Sequence, residues 1–330
     1  MSGYYWLNKP LIPQIAGHCM HDIVITANLP QSVVETLQSS YQVRQLRLRE
    51  IGADAFLTQL GEAAAIVVSP GDPVNRDLIN RLPESVRVIA SYSVGLDHVD
   101  TQAAEARGLP VTNTPDVLTD ATADVALLLI LGALRGAAQA SRLLHSRQWQ
   151  GWEPAQIFGR DLTGKTLAIF GAGRIGAATA KRARAFGMEV IYWSGHRQSP
   201  LLDDVGAKAV EDFSQFLAQA EVLSLHAPST PQTRGLVNAA LIDKLPAGAA
   251  LINTARGDLV EDEDVINALQ SGRLGAIGFD VFTNEPAIDG RYYDLENAFL
   301  LPHIGSSTEE TRAAMGRLVL QGLRRYLPAG

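Results

Sequence analysis

Gly171-Ala172-Gly173-Arg174-Ile175-Gly176 stands directly after the apolar run 166–170 and directly before an alanine-rich stretch. That placement constrains the chain more than any other feature. A buried strand must turn sharply at Gly171, pass backbone close to a ligand at Gly173, and enter a helix packed tightly at Gly176. The helix start then offers oriented N–H donors to an anion, so the motif predicts a βα unit that cradles the pyrophosphate of a dinucleotide. Arg174 and Ile175 complete the loop. A glycine turn used only for packing is the plainer alternative, and the flanking strand and helix argue against it.

Around this unit the chain alternates short β-branched runs with helical stretches. Runs at 23–27, 65–69, 86–91 and 110–112 read as buried parallel strands. A second series at 165–170, 189–193, 221–226, 249–253, 275–280 and 299–301 supplies six strands for one complete doubly wound sheet. A long helix is expected over 119–144, capped by Thr119 and Asp120 and free of proline. The helix expected over 307–326 comes too late for the second sheet and is assigned to the first.

The expected fold is α/β: two doubly wound domains, Rossmann-like or flavodoxin-like, with a cleft between them. Residues 1–119 and 303–330 form a discontinuous substrate-binding domain, and residues 120–302 an inserted dinucleotide-binding domain. At 330 residues the chain has material for two cores. Residues 1–21 carry Tyr4, Tyr5 and Trp6 without a basic start or a continuous apolar core, and are read as an extra arm, either a leader or a surface strap.

Composition removes several classes of function. The chain is 46% hydrophobic and 19% charged, and its net charge of -7 leaves no basic footprint for nucleic acid. The longest apolar run, 125–134, falls short of the ~20 residues of a membrane span. Cys19 is the single cysteine, so neither an intrachain disulfide nor a Cys-rich metal site is available, no metal is expected, and a reducing cytoplasm fits.

After the strand at 189–193 comes Ser194-Gly195-His196-Arg197. A carboxylate there would bond the free ribose 2′-hydroxyl of NAD; a hydroxyl, an imidazole and a guanidinium instead suit the 2′-phosphate of NADPH. NADPH is therefore the expected cofactor, with NADH possible, and Ser194, His196 and Arg197 are the expected phosphate contacts.

Three segments at expected strand ends carry the remaining chemistry: 253–257 with Thr254, Ala255 and Arg256; 279–286 with Asp280 and Glu285; and 301–305 with His303. Thr254 and Ala255 fall beside the dinucleotide. The planar fork of Arg256 suits an oxo acid, binding its carboxylate and its carbonyl oxygen together. His303 changes protonation near neutral pH and suits acid–base work, with Glu285 fixing the ring and favouring its charged form.

With Ser93-Val94-Gly95-Leu96-Asp97-His98, the glycine loop, and the segments 253–257, 278–286 and 302–306, the chain resembles the D-2-hydroxyacid dehydrogenase family over residues 65–317, especially its glyoxylate/hydroxypyruvate reductase branch. The resemblance implies reduction of a small 2-oxo acid, with Arg256, Glu285 and His303 as the catalytic set and Asp280 contacting the nicotinamide amide. It implies that backbone at Val94 and Gly95 cradles the substrate carboxylate. It also implies a homodimer packed through the cofactor domains, in which Trp152 either reaches the partner's site or fills the dimer core. Related chemistries, 2-ketogluconate or other 2-oxo acid reduction and phosphite oxidation, stay open. A different class, a dinucleotide-sensing corepressor-like interaction protein, is disfavoured by the complete Arg, Glu and His set.

Overall fold

A computed structural model describes residues 20–195 and 198–328. The expected arm at 1–21 lies outside the described residues except for Met20 and His21, as do His196, Arg197 and residues 329–330. Two wholly parallel sheets organise the chain. The first holds β1 (Asp22–Ile25), β2 (Gln42–Gln45), β3 (Ala65–Val68), β4 (Val88–Ser91) and β5 (Val111–Thr112), in the order β2-β1-β3-β4-β5. The second holds β6 (Thr166–Phe170), β7 (Glu189–Trp193), β8 (Lys208–Ala209), β9 (Val222–Leu225), β10 (Ala249–Asn253), β11 (Leu274–Phe279) and β12 (Ala298–Leu300), in the order β12-β11-β10-β9-β6-β7-β8. Both orders reverse direction once, the mark of doubly wound α/β sheets.

The central strands are apolar along their whole length because helices cover both faces: β3, β4, β9 and β10 are buried at every position. The sequence reading missed β2 and counted six strands in the second sheet where seven stand. Both missed strands are edges. β2 reads Gln-Val-Arg-Gln, and its Arg44 pairs with Asp22 at 2.6 Å; β8 has two residues, both exposed. An edge strand with one pairing side and a solvated face carries no apolar signature.

The helix expected over 119–144 is two helices, Thr119–Leu134 and Ala137–His145, bent by 74°. Gly136 makes the break, at φ 61°, a left-handed conformation that glycine adopts without a steric penalty. The N-cap is Leu118, without a side-chain cap bond, and Asp120 instead accepts from Arg182 at 3.0 Å. No single described helix is long and apolar enough to cross a membrane. The helix Glu309–Tyr326 lays Met315, Val319 and Leu323 on the first sheet's core beside Ile23, Val33 and Leu37.

Close packing of Thr119–Leu134 on the second sheet depends on Gly132, where an added Cβ would sit 2.2 Å from the Phe299 ring. Gly132→Ala should therefore destabilise the protein by about 1–3 kcal/mol through overpacking. Denaturant unfolding checks this: an unchanged midpoint would contradict the packing.

Candidate active site

The carboxyl ends of the two sheets face a common cleft of about 910 Å³, lined from the first sheet by Ser93, Val94 and Gly95 and from the second by Thr254, Arg256 and His303. In open α/β sheets this edge is where ligands bind, because strand ends and helix starts leave backbone groups free there.

At the end of β6, Gly171 has φ 106°, and a Cβ would strike the backbone of His226 and Ala227 at 2.6 Å. A Cβ on Gly176 would lie 2.5 Å from the Gly171 carbonyl oxygen, so the helix Arg174–Ala185 starts hard against the strand end. Over Gly173 nothing lies within 4 Å, which leaves backbone open to a ligand. Ile175 lines the cleft, while Arg174 pairs with Asp116 at 2.7 Å. Beside the loop a pocket of about 450 Å³ is bounded by Gly171, Trp193, Ser194 and Ser199, with no carboxylate among its lining residues. His196 and Arg197 follow in sequence but lie outside the described residues.

Buried polar atoms on the cleft wall also fit a polar ligand. Among the described residues Thr254 Oγ1 and His226 Nδ1 are buried without a partner. The other His226 nitrogen, Nε2, bonds Ser224 Oγ at 2.8 Å, and burial pushes the His226 pKa down to about 4, so the ring is neutral. Glycine cradle, open backbone and orphaned polar atoms together fit a dinucleotide: residues 171–176 would hold its phosphates, and Thr254 and Ala255 would flank its nicotinamide end.

Where that end would lie, β11 and β12 deliver Asp280, Glu285 and His303. Asp280 is 1% exposed, and its two oxygens accept from the backbone N–H of Ile304 and Gly305, each at 2.7 Å. Burial raises its pKa by more than these bonds lower it. Both oxygens are thus engaged by the chain itself, and a nicotinamide amide would have to use the remaining lone pairs. His303 sits at φ 55°, an uncommon conformation for a non-glycine residue, and Nδ1 meets Glu285 Oε2 at 2.7 Å. The second Glu285 oxygen accepts from Phe282 N–H at 2.8 Å. Burial pushes the Glu285 pKa up, but the His303 bond and charge, the Phe282 N–H and Arg256 outweigh it and hold the carboxyl below its ordinary value. With Nδ1 occupied, Nε2 is the nitrogen left for the cleft.

Arg256, at the end of β10, crosses to the first sheet. Its Nε donates to Asp97 Oδ1 at 3.0 Å, Nη2 lies 2.9 Å from the same oxygen in an ion pair, and Nη1 donates to Ala255 O at 2.7 Å. Burial pushes the Asp97 pKa up, and the bonds and charge of Arg256 bring it below its usual value. A Cβ on Gly95 would lie 1.9 Å from Arg256 Nη2, so only glycine there lets the guanidinium lie on the Val94–Gly95 turn.

That turn is held from behind by Ser93, which stands in the 93–98 segment quoted from the sequence, and by Asn113, which the sequence reading did not single out. Asn113 Nδ2 donates to Val94 O at 2.9 Å and Ser93 Oγ to Gly95 O at 2.6 Å. Ser93 has then spent its hydrogen, so Ser91 Oγ donates to Ser93 (2.7 Å) and His98 Nε2 to Ser91 (3.1 Å). This leaves the orphaned His98 Nδ1 without a hydrogen, as suits a ring whose pKa burial depresses. Ser93 and His98 were visible in the sequence as members of the 93–98 segment; Asn113 gave no signal. Trp152 is 78% exposed and does not line the cleft of its own chain.

Comparison with known proteins decides the family. The family model for the D-isomer specific 2-hydroxyacid dehydrogenase, NAD binding domain, matches residues 127–305. The chain is 42% identical to a glycerate dehydrogenase of Hyphomicrobium methylovorum over 296 residues, covering 89% of this chain and 92% of that protein. The chain belongs to the D-isomer-specific 2-hydroxyacid dehydrogenases. The dehydrogenase is also 37% identical to a glyoxylate reductase of Thermococcus litoralis over 306 residues, covering 91% of this chain and 92% of that one. Among solved structures it superposes on an NADPH-dependent glyoxylate/hydroxypyruvate reductase of Sinorhizobium meliloti, in complex with NADP and malonate, with a TM-score of 0.84 and 32% identity over 94% of this chain and 95% of that one. The family and the glycine cradle agree on a nicotinamide dinucleotide as cofactor and a small 2-oxo or 2-hydroxy acid as substrate.

The two pins behind Val94 and Gly95 give this dehydrogenase a testable feature. Ser93→Ala or Asn113→Ala should each raise KM for the oxo acid about fivefold, the worth of one hydrogen bond of ~1 kcal/mol, with kcat changed far less. Steady-state kinetics check it, and an unchanged KM in both variants would contradict the role.

Proposed function

We propose that the dehydrogenase reduces glyoxylate or hydroxypyruvate to the 2-hydroxy acid with NADPH as preferred donor. The observation that carries this reading is the 2.7 Å bond between His303 Nδ1 and Glu285, facing Arg256 in the same cleft. The relatives, a glycerate dehydrogenase and a glyoxylate reductase, support the same reading.

When bound, the dinucleotide supplies the hydride that becomes the new C2 hydrogen. The chain's residues do the rest. Backbone N–H groups at Val94 and Gly95 receive the substrate carboxylate, and Arg256 bonds both that carboxylate and the C2 oxygen, with Asp97 keeping its fork aimed. As hydride arrives, charge grows on the oxygen and His303 Nε2 gives it a proton, so the C=O bond becomes H–C–OH and the ring is left neutral. Glu285 stabilises the ring while it is charged. Oxidation of the hydroxy acid runs the same steps backward. Asp280 holds the backbone of this site and would accept from the nicotinamide amide.

NADPH is favoured because the pocket beside Ser194 has no carboxylate among its lining residues and the sequence continues with His196 and Arg197. The solved S. meliloti relative, NADPH-dependent by its description, supports the same choice. We extend the reading to a homodimer through the cofactor domains. Trp149, Trp152 and Phe158, 50%, 78% and 82% exposed, give one stretch of chain an apolar surface suited to a second copy.

Steady-state reduction of glyoxylate and hydroxypyruvate with each cofactor tests the proposal. The wild type should prefer NADPH, and Arg197→Ala should lose tenfold or more in kcat/KM for NADPH, the worth of a charge-assisted bond of ~1.5–3 kcal/mol, and much less for NADH. No turnover of either acid would overturn the activity; a preference for NADH, or equal losses with both cofactors, would overturn the cofactor choice.

A further inference from the structure

A ketone carbon carries three groups in one plane. In the reading above, two are placed: the carboxylate at Val94 and Gly95, and the oxygen between Arg256 and His303. The third, C3 and whatever it bears, must point to the wall of the cleft that these residues leave open.

That wall leads somewhere. Beyond Tyr92 the cleft adjoins a side pocket of about 440 Å³ bounded by Asn28, Pro30, Ser69, Pro70, Tyr92 and Arg312. Pro70, Tyr92 and Arg312 line both spaces. The pocket lies past the ends of β1 and β3, where the strand order of the first sheet reverses and the connecting chains diverge to opposite faces. Such a divergence opens a crevice that side chains do not fill.

Arg312 stands at the junction. The helix Glu309–Tyr326 presents it there, and Tyr92 Oη donates to the Arg312 carbonyl at 2.7 Å, tying helix to strand end. The guanidinium lies 5.8 Å from the Tyr92 ring centroid, and Nη2 donates to Ser307 Oγ at 2.9 Å. Arg312 is half-buried, and among the described residues no carboxylate lies within 4.0 Å of it. Arg256, by contrast, has Asp97. A guanidinium has five N–H donors; one partly desolvated, over an aromatic ring and without a carboxylate partner among the described residues, is suited to receive oxygen atoms from a ligand.

We propose that Arg312 is a specificity-determining residue, bonding an oxygen on C3, so that among substrates that carry a C3 the site favours 2-oxo acids bearing a hydroxyl or carboxylate there. The inference rests on the proposed function and deepens it. Glyoxylate has hydrogen in place of C3 and does not reach Arg312. Pyruvate reaches the junction with a methyl group that can take no hydrogen bond. Hydroxypyruvate and oxaloacetate each bring an oxygen to it.

The test is kcat/KM for these four acids with NADPH in the wild type, Arg312→Gln and Arg312→Lys, with melting temperatures to report folding. The wild type should use hydroxypyruvate at least tenfold better than pyruvate. Arg312→Gln should lose at least tenfold on hydroxypyruvate and oxaloacetate and less than threefold on glyoxylate and pyruvate. If the Gln variant does not fold, Arg312→Lys decides: its point charge should keep part of the oxaloacetate rate, and its loss on hydroxypyruvate should exceed that on glyoxylate at least threefold. Equal losses on all four acids by a folded variant, or a wild type that uses pyruvate as well as hydroxypyruvate, would overturn the role of Arg312 while leaving the reductase reading intact. A wild type that reduces none of the four would overturn both.

Discussion

A carboxylate that is 1% exposed holds the backbone N–H groups of the two residues that follow His303. Asp280 in this way ties the end of β12 to the end of β11, and the proposed acid hangs from that tie. The two N–H bonds hold the uncommon backbone of His303, at φ 55°, in place. Glu285 is anchored separately through Phe282 N–H. The two members of the pair therefore meet at 2.7 Å from independently fixed positions, and little ordering is left for the substrate to impose.

Across the cleft the attachments are lighter. Asp97 with Arg256 and Asp116 with Arg174 join the two sheets through side chains that are 29–65% exposed. Pairs so exposed contribute about 0–1 kcal/mol, so they align the two sides without locking them. Such a cleft suits a reaction in which an oxo acid must enter, lose its water and leave again as the hydroxy acid. The turn at Val94 and Gly95 is the rigid element on the first sheet's side, since both its carbonyls are pinned by Asn113 and Ser93.

Much of this was legible in the sequence because buried parallel strands leave a continuous apolar trace and every chemical segment follows one. The glycine loop after β6, Arg256 after β10 and His303 after β12 could be placed for that reason alone. Edge strands escaped notice: β2 is polar and β8 has two exposed residues. The break at Gly136 was hidden inside an alanine- and leucine-rich stretch whose composition favours helix on both sides. Asn113 and Arg312 were invisible for another reason. Their importance comes from neighbours far along the chain, and for Arg312 from the return of the last helix to the first sheet. Arg197 is the reverse case, a residue whose proposed role rests on sequence context.

The roles given to Glu285 and His303 rest on one electrostatic relation: the carboxylate stabilises the charged ring that reduction needs. Removing that charge must make the ring release its proton more readily, so reduction must fail at lower pH. The direct measurement is the pH dependence of kcat/KM for glyoxylate reduction in Glu285→Gln beside the wild type. The alkaline fall should set in at lower pH than in the wild type, because the contact through which His303 holds the Glu285 carboxyl below its ordinary value acts in both directions. A profile that superposes on the wild type would contradict it, and His303 would have to draw its proton under the control of some other group.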